Sequence, residues 1–499
     1  MPLSASCEVR SRARVIAIAL GLGISFAASV AVAADEPAAD EPAAMLARAR
    51  AVMGFSRAGS AVIHYRAVAA QDQDYESDRS YPPFFAMMQV KETWFDPVSG
   101  VAQVTTTRAT YPSSELPPST MVSDARRAFS VTADPPRALG PLPLSALRNS
   151  RYLDPWPVVA DWSAASDVRI SGREVYRDYP RVVLVRAAPG GEQRLFIDPK
   201  SGFPIKLELV APHYLWGQQR VEYLYSNWIR VGAVMTAGAS FALVDGQPRT
   251  RQTVGAVDLV ARTAAALPVL PDKPGQSAEE LPRFLQPIDL TTVQVGPSTY
   301  LLSNPGYTEA VTRVGDEVFV LDATQGEQRV DKVAHAIARL FPGARKVTVV
   351  VTDLAWPHVA GVRAWIARGA TIVTHRAGQA FLHEVIDRRW TLAPDLLERR
   401  RNAVSVQIRG IEAATPLAGG ALTLHPIDGV GSEVAVMAYV AADRFLWASD
   451  YLQPPSGFAS AYAAEVVSAV RREGLAPARA AAQHHALTAW SAIEAQASP

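Results

Sequence analysis

Between Pro268 and Pro282 the chain carries four prolines, a glycine and the acidic pair Glu279-Glu280, and the spacing of apolar residues differs on its two sides. Proline locks φ and removes a backbone donor, so such a stretch neither continues a helix nor sits inside a sheet. With 499 residues the chain exceeds one ordinary domain. A linker over 268–283 is therefore expected to separate a first half, 45–267, from a second, 284–499.

The first half reads as mainly β. Met45 to Met53 has the spacing of an opening helix. Met87–Phe95 and Val101–Arg108 are short runs with partial alternation, joined by the turn-rich Asp96-Pro97-Val98-Ser99-Gly100. Val182–Arg186 and Gln193–Ile197 flank Pro189-Gly190-Gly191, a hairpin signal. Pro204–Val210, Gln219–Trp228 and Ala239–Leu243 continue the pattern. Successive strands with tight turns predict an antiparallel sheet. The aromatics Trp94, Trp216, Tyr223, Tyr225 and Trp228 are expected in its core.

The stretch Leu195-Phe196-Ile197-Asp198-Pro199-Lys200-Ser201-Gly202-Phe203-Pro204, then Tyr223–Trp228 and Val244-Asp245-Gly246, resembles the periplasmic outer-membrane lipoprotein carrier and sorting family. The resemblance covers about Met45 to Arg262. It implies a curved half-barrel holding an acyl chain or another apolar ligand. The alternative is a structural accessory domain with a filled core.

In the second half strands alternate with helices, which predicts sheets covered by helices. Val293–Leu302 and Glu317–Leu321 read as strands, the second ending in Asp322. Gln328–Leu340 has helical spacing. Lys346–Val351 is a β-branched run closed by Thr352-Asp353. Val362–Arg368 reads as helix and Ala370–Thr374 as strand. Gln379–Arg400 reads as helix broken at Pro394. Ala421–Pro426, Val434–Val440 and Phe445–Ala448 follow as strands, then Ala463–Arg472 and Thr488–Ala497 as helices. Seven of nine histidines lie in this half, and neutral imidazole is the commonest metal ligand.

This half is similar to the metallo-β-lactamase superfamily, over about Phe284 to Ala495. Val349-Val350-Val351-Thr352-Asp353-Leu354-Ala355-Trp356-Pro357-His358-Val359-Ala360-Gly361 occupies the place of the signature loop Thr-His-x-His-x-Asp-His. Gly369 to His375 is the usual helix-to-strand return. Gly431-Ser432-Glu433, Phe445 to Asp450 and His484 to Trp490 follow in the family's order. The resemblance implies an αββα sandwich, and in an intact site two metals, usually zinc. Here the first metal site is largely dismantled: the ligand slots hold Asp353, Ala355, Pro357 and Gly431. What the resemblance leaves is His358, Asp450 and His484, with Asp353 in a former ligand slot. Two histidines and one or two carboxylates could hold one divalent metal with an open position for water. Zinc leads; iron or manganese also suits a carboxylate-rich set. His485 could replace His484 if the register shifts by one. Glu433, His375, His383, His335 and His425 are expected in structural or solvent-facing places.

Arg10, Arg12 and Arg14, the apolar run Val15–Val32 and the small-x-small Ala31-Val32-Ala33 read as a secretory signal cleaved near Ala33. A repeated Asp-Glu-Pro-Ala-Ala over 34–44 reads as a disordered linker. Cys7, the one cysteine, would leave with the signal. Any metal site must then rest on imidazole and carboxylate. The protein is expected to be soluble after cleavage, in the periplasm or secreted. A net charge of +1 without a basic-aromatic stripe gives no support for nucleic-acid binding. The oligomeric state is unknown from sequence. Two functions remain open. One is an exported hydrolase-like enzyme in which His358, His484 and Asp450 hold the metal and a water, with Asp353 as a further ligand or general base, acting on an ester, lactone, thioester or amide. The other is a non-catalytic pseudoenzyme of the envelope that binds a lipid, another apolar ligand or a protein partner.

Overall fold

The computed structural model describes residues 41–75, 79, 81–109, 117–132, 134–139, 150–188, 191–265, 268–272, 289–453 and 459–497. The expected export signal and most of both expected linkers lie outside the described residues. The described residues belong to one compact unit of mixed α/β structure built on three sheets.

The first sheet has thirteen strands. They run from Arg137–Ala138 at one edge through Ala128–Ser130, Ser119–Ser123, Ala102–Arg108 and Ala86–Phe95 to Ala61–Asp72. Gln247–Ala261 lies next, followed by Val234–Val244, Gly217–Val231, Pro204–His213, Gly191–Ile197, Tyr179–Ala188 and Arg169–Tyr176. Neighbours are antiparallel, as the tight turns require. The pairing Ala61↔Ala261 to Gln71↔Thr250 joins the two ends of this segment. Along Ala86–Phe95 the buried positions are Met87, Gln89, Lys91, Thr93 and Phe95, a period of two.

Two helices cover one face of this sheet. Pro42–Met53 buries Met45, Leu46, Ala49 and Met53. Pro155–Ser163 starts with proline at its first position and is capped by Asp154, whose carboxylate accepts from Trp156 N and from the Tyr65 hydroxyl at 2.7 Å. Trp156 and Trp162 lie fully buried against Ile63, Phe95, Leu207 and Tyr223. Burial of each such aromatic stabilises by about 1.5–3 kcal/mol. Tyr223 and Tyr225 join this core as the pattern predicts, Trp228 packs at its margin, and Trp94 stacks on His64. Trp216 differs. It belongs to the core of the second half, because the turn that carries it projects away from its own sheet.

The second sheet runs Thr291–Gln294, Thr299–Asn304, Tyr307–Val314, Glu317–Leu321, Lys346–Val351, Thr371–His375, Ile408–Ile411. Its first four strands are antiparallel and the rest parallel. The third runs Thr415–Leu417, Leu422–Pro426, Val436–Val440, Phe445–Trp447, Arg479–Ala482, His485–Ala489. One apolar cluster draws on both sheets, with Leu301, Phe319, Val350, Leu424, Phe445 and Trp447. A second joins the other face of the seven-stranded sheet to helices Glu327–Leu340, Val362–Ala367 and Gln379–Asp387. A third joins the six-stranded sheet to helices Ala459–Arg472 and Trp490–Gln496.

Three expected elements differ. The run Val293–Leu302 is two strands, because Gly296-Pro297 turns the chain between them. The helix expected over Gln379–Arg400 ends at Asp387 and restarts at Leu396, where Asp395 caps it by accepting from Glu398 N. The helix expected from Thr488 begins at Trp490, since His485–Ala489 pairs back on Arg479–Ala482.

Gly217 sits at φ +77, and a Cβ there would run into the Trp390 ring; Gly246 sits at φ +83 with nothing within 4 Å. Gly246→Ala is expected to cost only the backbone term, about 1 kcal/mol. Gly217→Ala should cost more, because Trp390 must also move. Urea midpoints of the two variants check this, and equal midpoints would refute the clash.

Candidate metal centre

Strand ends deliver the site. Lys346–Val351 leads into Thr352, Asp353 and the short helix Trp356–Val359, which carries His358. Phe445–Trp447 leads into Ser449 and Asp450, and Arg479–Ala482 into Gln483 and His484. The turn between Thr299–Asn304 and Tyr307–Val314 adds Gly306 and Tyr307.

One ligand atom from each of His358, Asp450 and His484 lies within 4.8 Å of the others. His358 Nε2 and His484 Nε2 are 3.1 Å apart, and His484 Nε2 is 3.6 Å from Asp450 Oδ1. Two ligands about 2.0–2.2 Å from one tetrahedral ion stand roughly 3.3–3.6 Å apart, and the separations here fall around that range. The outer ring nitrogens are already committed. His358 Nδ1 donates to Asp353 Oδ1 at 2.9 Å, and His484 Nδ1 donates to the Gly306 carbonyl at 2.6 Å. Both Nε2 atoms are thereby turned towards Asp450, the orientation that metal-binding imidazoles take. His358 is 1% exposed; Asp450 and His484 lie on the solvent side of it.

Asp353 stands behind His358, outside the three-residue group. Its Oδ1 also accepts from Ala355 N at 2.8 Å, and its Oδ2 accepts from Ser449 Oγ at 3.1 Å and Gln483 Nε2 at 2.8 Å. Burial pushes this carboxyl up, but the charge of His358 and these hydrogen bonds outweigh it and hold it below the usual range. Burial pulls His358 down, yet Asp353 and Asp450 raise it to about 9. His484 is lowered by burial and by the neighbouring His358 cation. Without metal, His358 therefore carries the proton and donates to His484. Asp322, fully buried, is pushed up to about 7 by burial and by the charge of Asp353. It accepts from Thr352 N and Oγ1 and from Trp447 Nε1.

Ala355, Pro357 and Gly431, which carry no ligand group, are held by other contacts. Ala355 contributes its N–H to Asp353, and the Pro357 carbonyl accepts from Gln325 N at 2.8 Å. A Cβ on Gly431 would stand 2.6 Å from the Tyr462 ring and 3.1 Å from the Tyr451 hydroxyl. The other candidates lie elsewhere. His485 is not in the three-residue group. Glu433, His383 and His335 are exposed, His375 accepts from Ala377 N, and buried His425 pairs with Glu473 and Thr423. Sequence reasoning missed Ser449, Gln483, Gly306 and Tyr307, whose ring centroid lies 5.0 Å from that of His484. Ser449 and Gln483 each immediately precede a site residue, which was the available signal.

No family model and no curated protein matches this chain. Part of it is similar to solved metallo-β-lactamase structures. The DIM-1 metallo-β-lactamase is 11% identical, with 42% of this chain and 96% of that one covered at a TM-score of 0.32. TMB-1 is 10% identical over 42% and 96%, also at 0.32. The FIM-1 metallo-β-lactamase from Pseudomonas aeruginosa, in its mono-zinc form, is 10% identical over 42% and 94%, at 0.33.

In metal-stripped protein, His358 is expected to keep its extra proton through neutral pH and release it near 9. Its folded value lies above the ordinary 6.5, so the pair with Asp353 stabilises fully below that pH and ceases to as pH rises through about 9. Asp353→Asn removes the main raising charge and leaves burial, so the midpoint should fall. Imidazole nitrogen shifts followed by NMR across pH check both; a midpoint unmoved by Asp353→Asn would refute the pairing.

Proposed function

We propose that this chain is an exported, hydrolase-like protein whose second half is a metallo-β-lactamase-type αββα sandwich with a single-metal site. The observation that carries the reading is the convergence of His358, Asp450 and His484, with the far nitrogen of each imidazole already occupied. The donor set, two imidazoles and a carboxylate, suits zinc, with iron or manganese as the alternatives. Zinc held there would supply Lewis acidity and lower the pKa of water. Asp353 orients His358 through Nδ1 and, with four donors on it, has no free acceptor position for a general base. Asp450, at the solvent side, is the carboxylate of the donor set. Tyr307 closes one wall beside both imidazoles. The substrate class is an ester, lactone, thioester or amide.

The export part of the reading rests on the charged and apolar pattern of residues 10–33, with the periplasm or the exterior as destination. Among the described residues no helix is long and apolar enough to cross a membrane. The thirteen-stranded sheet is read as a half-barrel. A non-catalytic, ligand-binding version of the protein draws support from one feature, a groove of about 790 Å³ between helix Pro42–Met53 and the end of helix Pro155–Ser163. Apolar Leu46, Val98 and Val168 line it together with charged Arg50, Asp124 and Arg126, and Trp156 and Trp162 are fully buried in the core of the same half. An apolar ligand would lie along the surface there.

Purified protein dialysed against zinc should retain one equivalent by elemental analysis. His358→Ala and His484→Ala should each lose it, together with any turnover on a panel of esters, lactones and thioesters. Failure of wild type to retain metal, with hydrolysis unaffected by His358→Ala, would sink the enzymatic reading.

A further inference from the structure

The turn between Pro204–His213 and Gly217–Val231 leaves its own sheet and enters the second half. His213 Nδ1 accepts from Leu215 N and Trp216 N, both at 3.2 Å, which stiffens the tip. Gln218 Nε2 donates to Thr391 Oγ1 at 2.9 Å, and Arg388 donates to the Gln218 carbonyl at 3.1 Å and pairs with Asp245. The tip is therefore anchored on both sides.

What the anchored tip meets is Trp356, two residues before His358. The Trp216 ring meets Trp356 edge-on, with centroids 5.6 Å apart at 83°, and His213 does so at 5.2 Å and 89°. The Arg249 guanidinium, paired with Asp74, lies 5.3 Å from the Trp356 centroid. Trp356 N donates to the Tyr75 carbonyl at 2.9 Å. Three segments of the first half thus hold one residue of the metal loop. Within the second half, Gln325 N donates to Pro357 O and Ala323 N to His358 O. The short helix is held between the two.

We propose that the thirteen-stranded sheet positions the metal centre through Trp356, with Trp216 and Arg249 as positioning residues that touch neither metal nor substrate. This rests on His358, Asp450 and His484 being that centre. A side chain that grips the residue two before a ligand limits the rotation of the turn bearing it. Loss of the grip loosens the ligand without removing it.

The test uses the full chain with Trp216→Ala, Trp216→Phe and Arg249→Met. The last keeps aliphatic bulk but removes the guanidinium together with its pair to Asp74, so Asp74→Asn is run beside it to separate the two, and it serves even where Trp216→Ala folds poorly. Amide hydrogen exchange is measured on metal-stripped protein, and zinc affinity by competition with a chelator. Trp216→Ala and Arg249→Met are expected to speed exchange across 353–361 while 436–447 stays protected. Zinc affinity should fall about 10-fold, the scale seen when residues that orient ligands are lost. Trp216→Phe should restore most of both. Unchanged exchange over 353–361 in both variants would overturn the proposal. So would an equal rise over 436–447, which would make Trp216 ordinary core. Absence of zinc binding in wild type counts against the metal reading alone, and the exchange comparison still decides this one.

Discussion

The Asp353 carboxylate accepts four hydrogen bonds, from Ala355 N, His358 Nδ1, Ser449 Oγ and Gln483 Nε2. These donors sit on three loops, two of them following strands of the six-stranded sheet and one a strand of the seven-stranded sheet. An unpaired buried carboxylate is costly, so a chain that buries one must bring its donors to it. The same bonds that satisfy Asp353 therefore gather the loops that carry His358, Asp450 and His484. Ser449 and Gln483 bond Asp353 while the next residue in each loop faces the open side.

Asp322 repeats the device one layer deeper. It ends a strand of the seven-stranded sheet and accepts from Trp447, which belongs to the six-stranded sheet, and from Thr352 beside Asp353. Asp322 and Ser449 both adopt positive φ, 76° and 57°. That backbone is disfavoured for residues with a Cβ and persists where surrounding bonds over-determine it. Two buried carboxylates in reach of each other cannot both be comfortably ionised. The four donors, the His358 imidazole among them, favour charge on Asp353, and Asp322 is the one raised.

Much of this was legible in the sequence where local chemistry decides it. The β-branched run Lys346–Val351 is a buried parallel strand, and the turn signals after Phe95 and Ile197 are turns. His358, Asp450 and His484 are singled out in the sequence by the resemblance to the metallo-β-lactamase superfamily, and one ligand atom of each does come together, without Asp353. The sequence was silent where a partner far along the chain decides. Trp216 lies in a turn between two strands of the first half, yet it packs on Trp356 and Phe381 of the second. The choice of His484 over His485 depends on a hairpin register set by Ala482↔His485. The role of Asp353 depends on Ser449 and Gln483, 96 and 130 residues away.

The residues around the site that carry no ligand group are each held by a contact of their own. Ala355 leaves its N–H free to serve Asp353, Pro357 offers a carbonyl to Gln325, and Gly431 makes room for Tyr462 and Tyr451. The first two contacts use backbone groups, and the third needs a residue without a Cβ. Trp356, between Ala355 and Pro357, packs on Trp216, His213 and Arg249 of the first half. The short helix that carries His358 is thereby tied to a second sheet, while His358 keeps its carboxylate partner Asp353 and turns its other nitrogen towards His484.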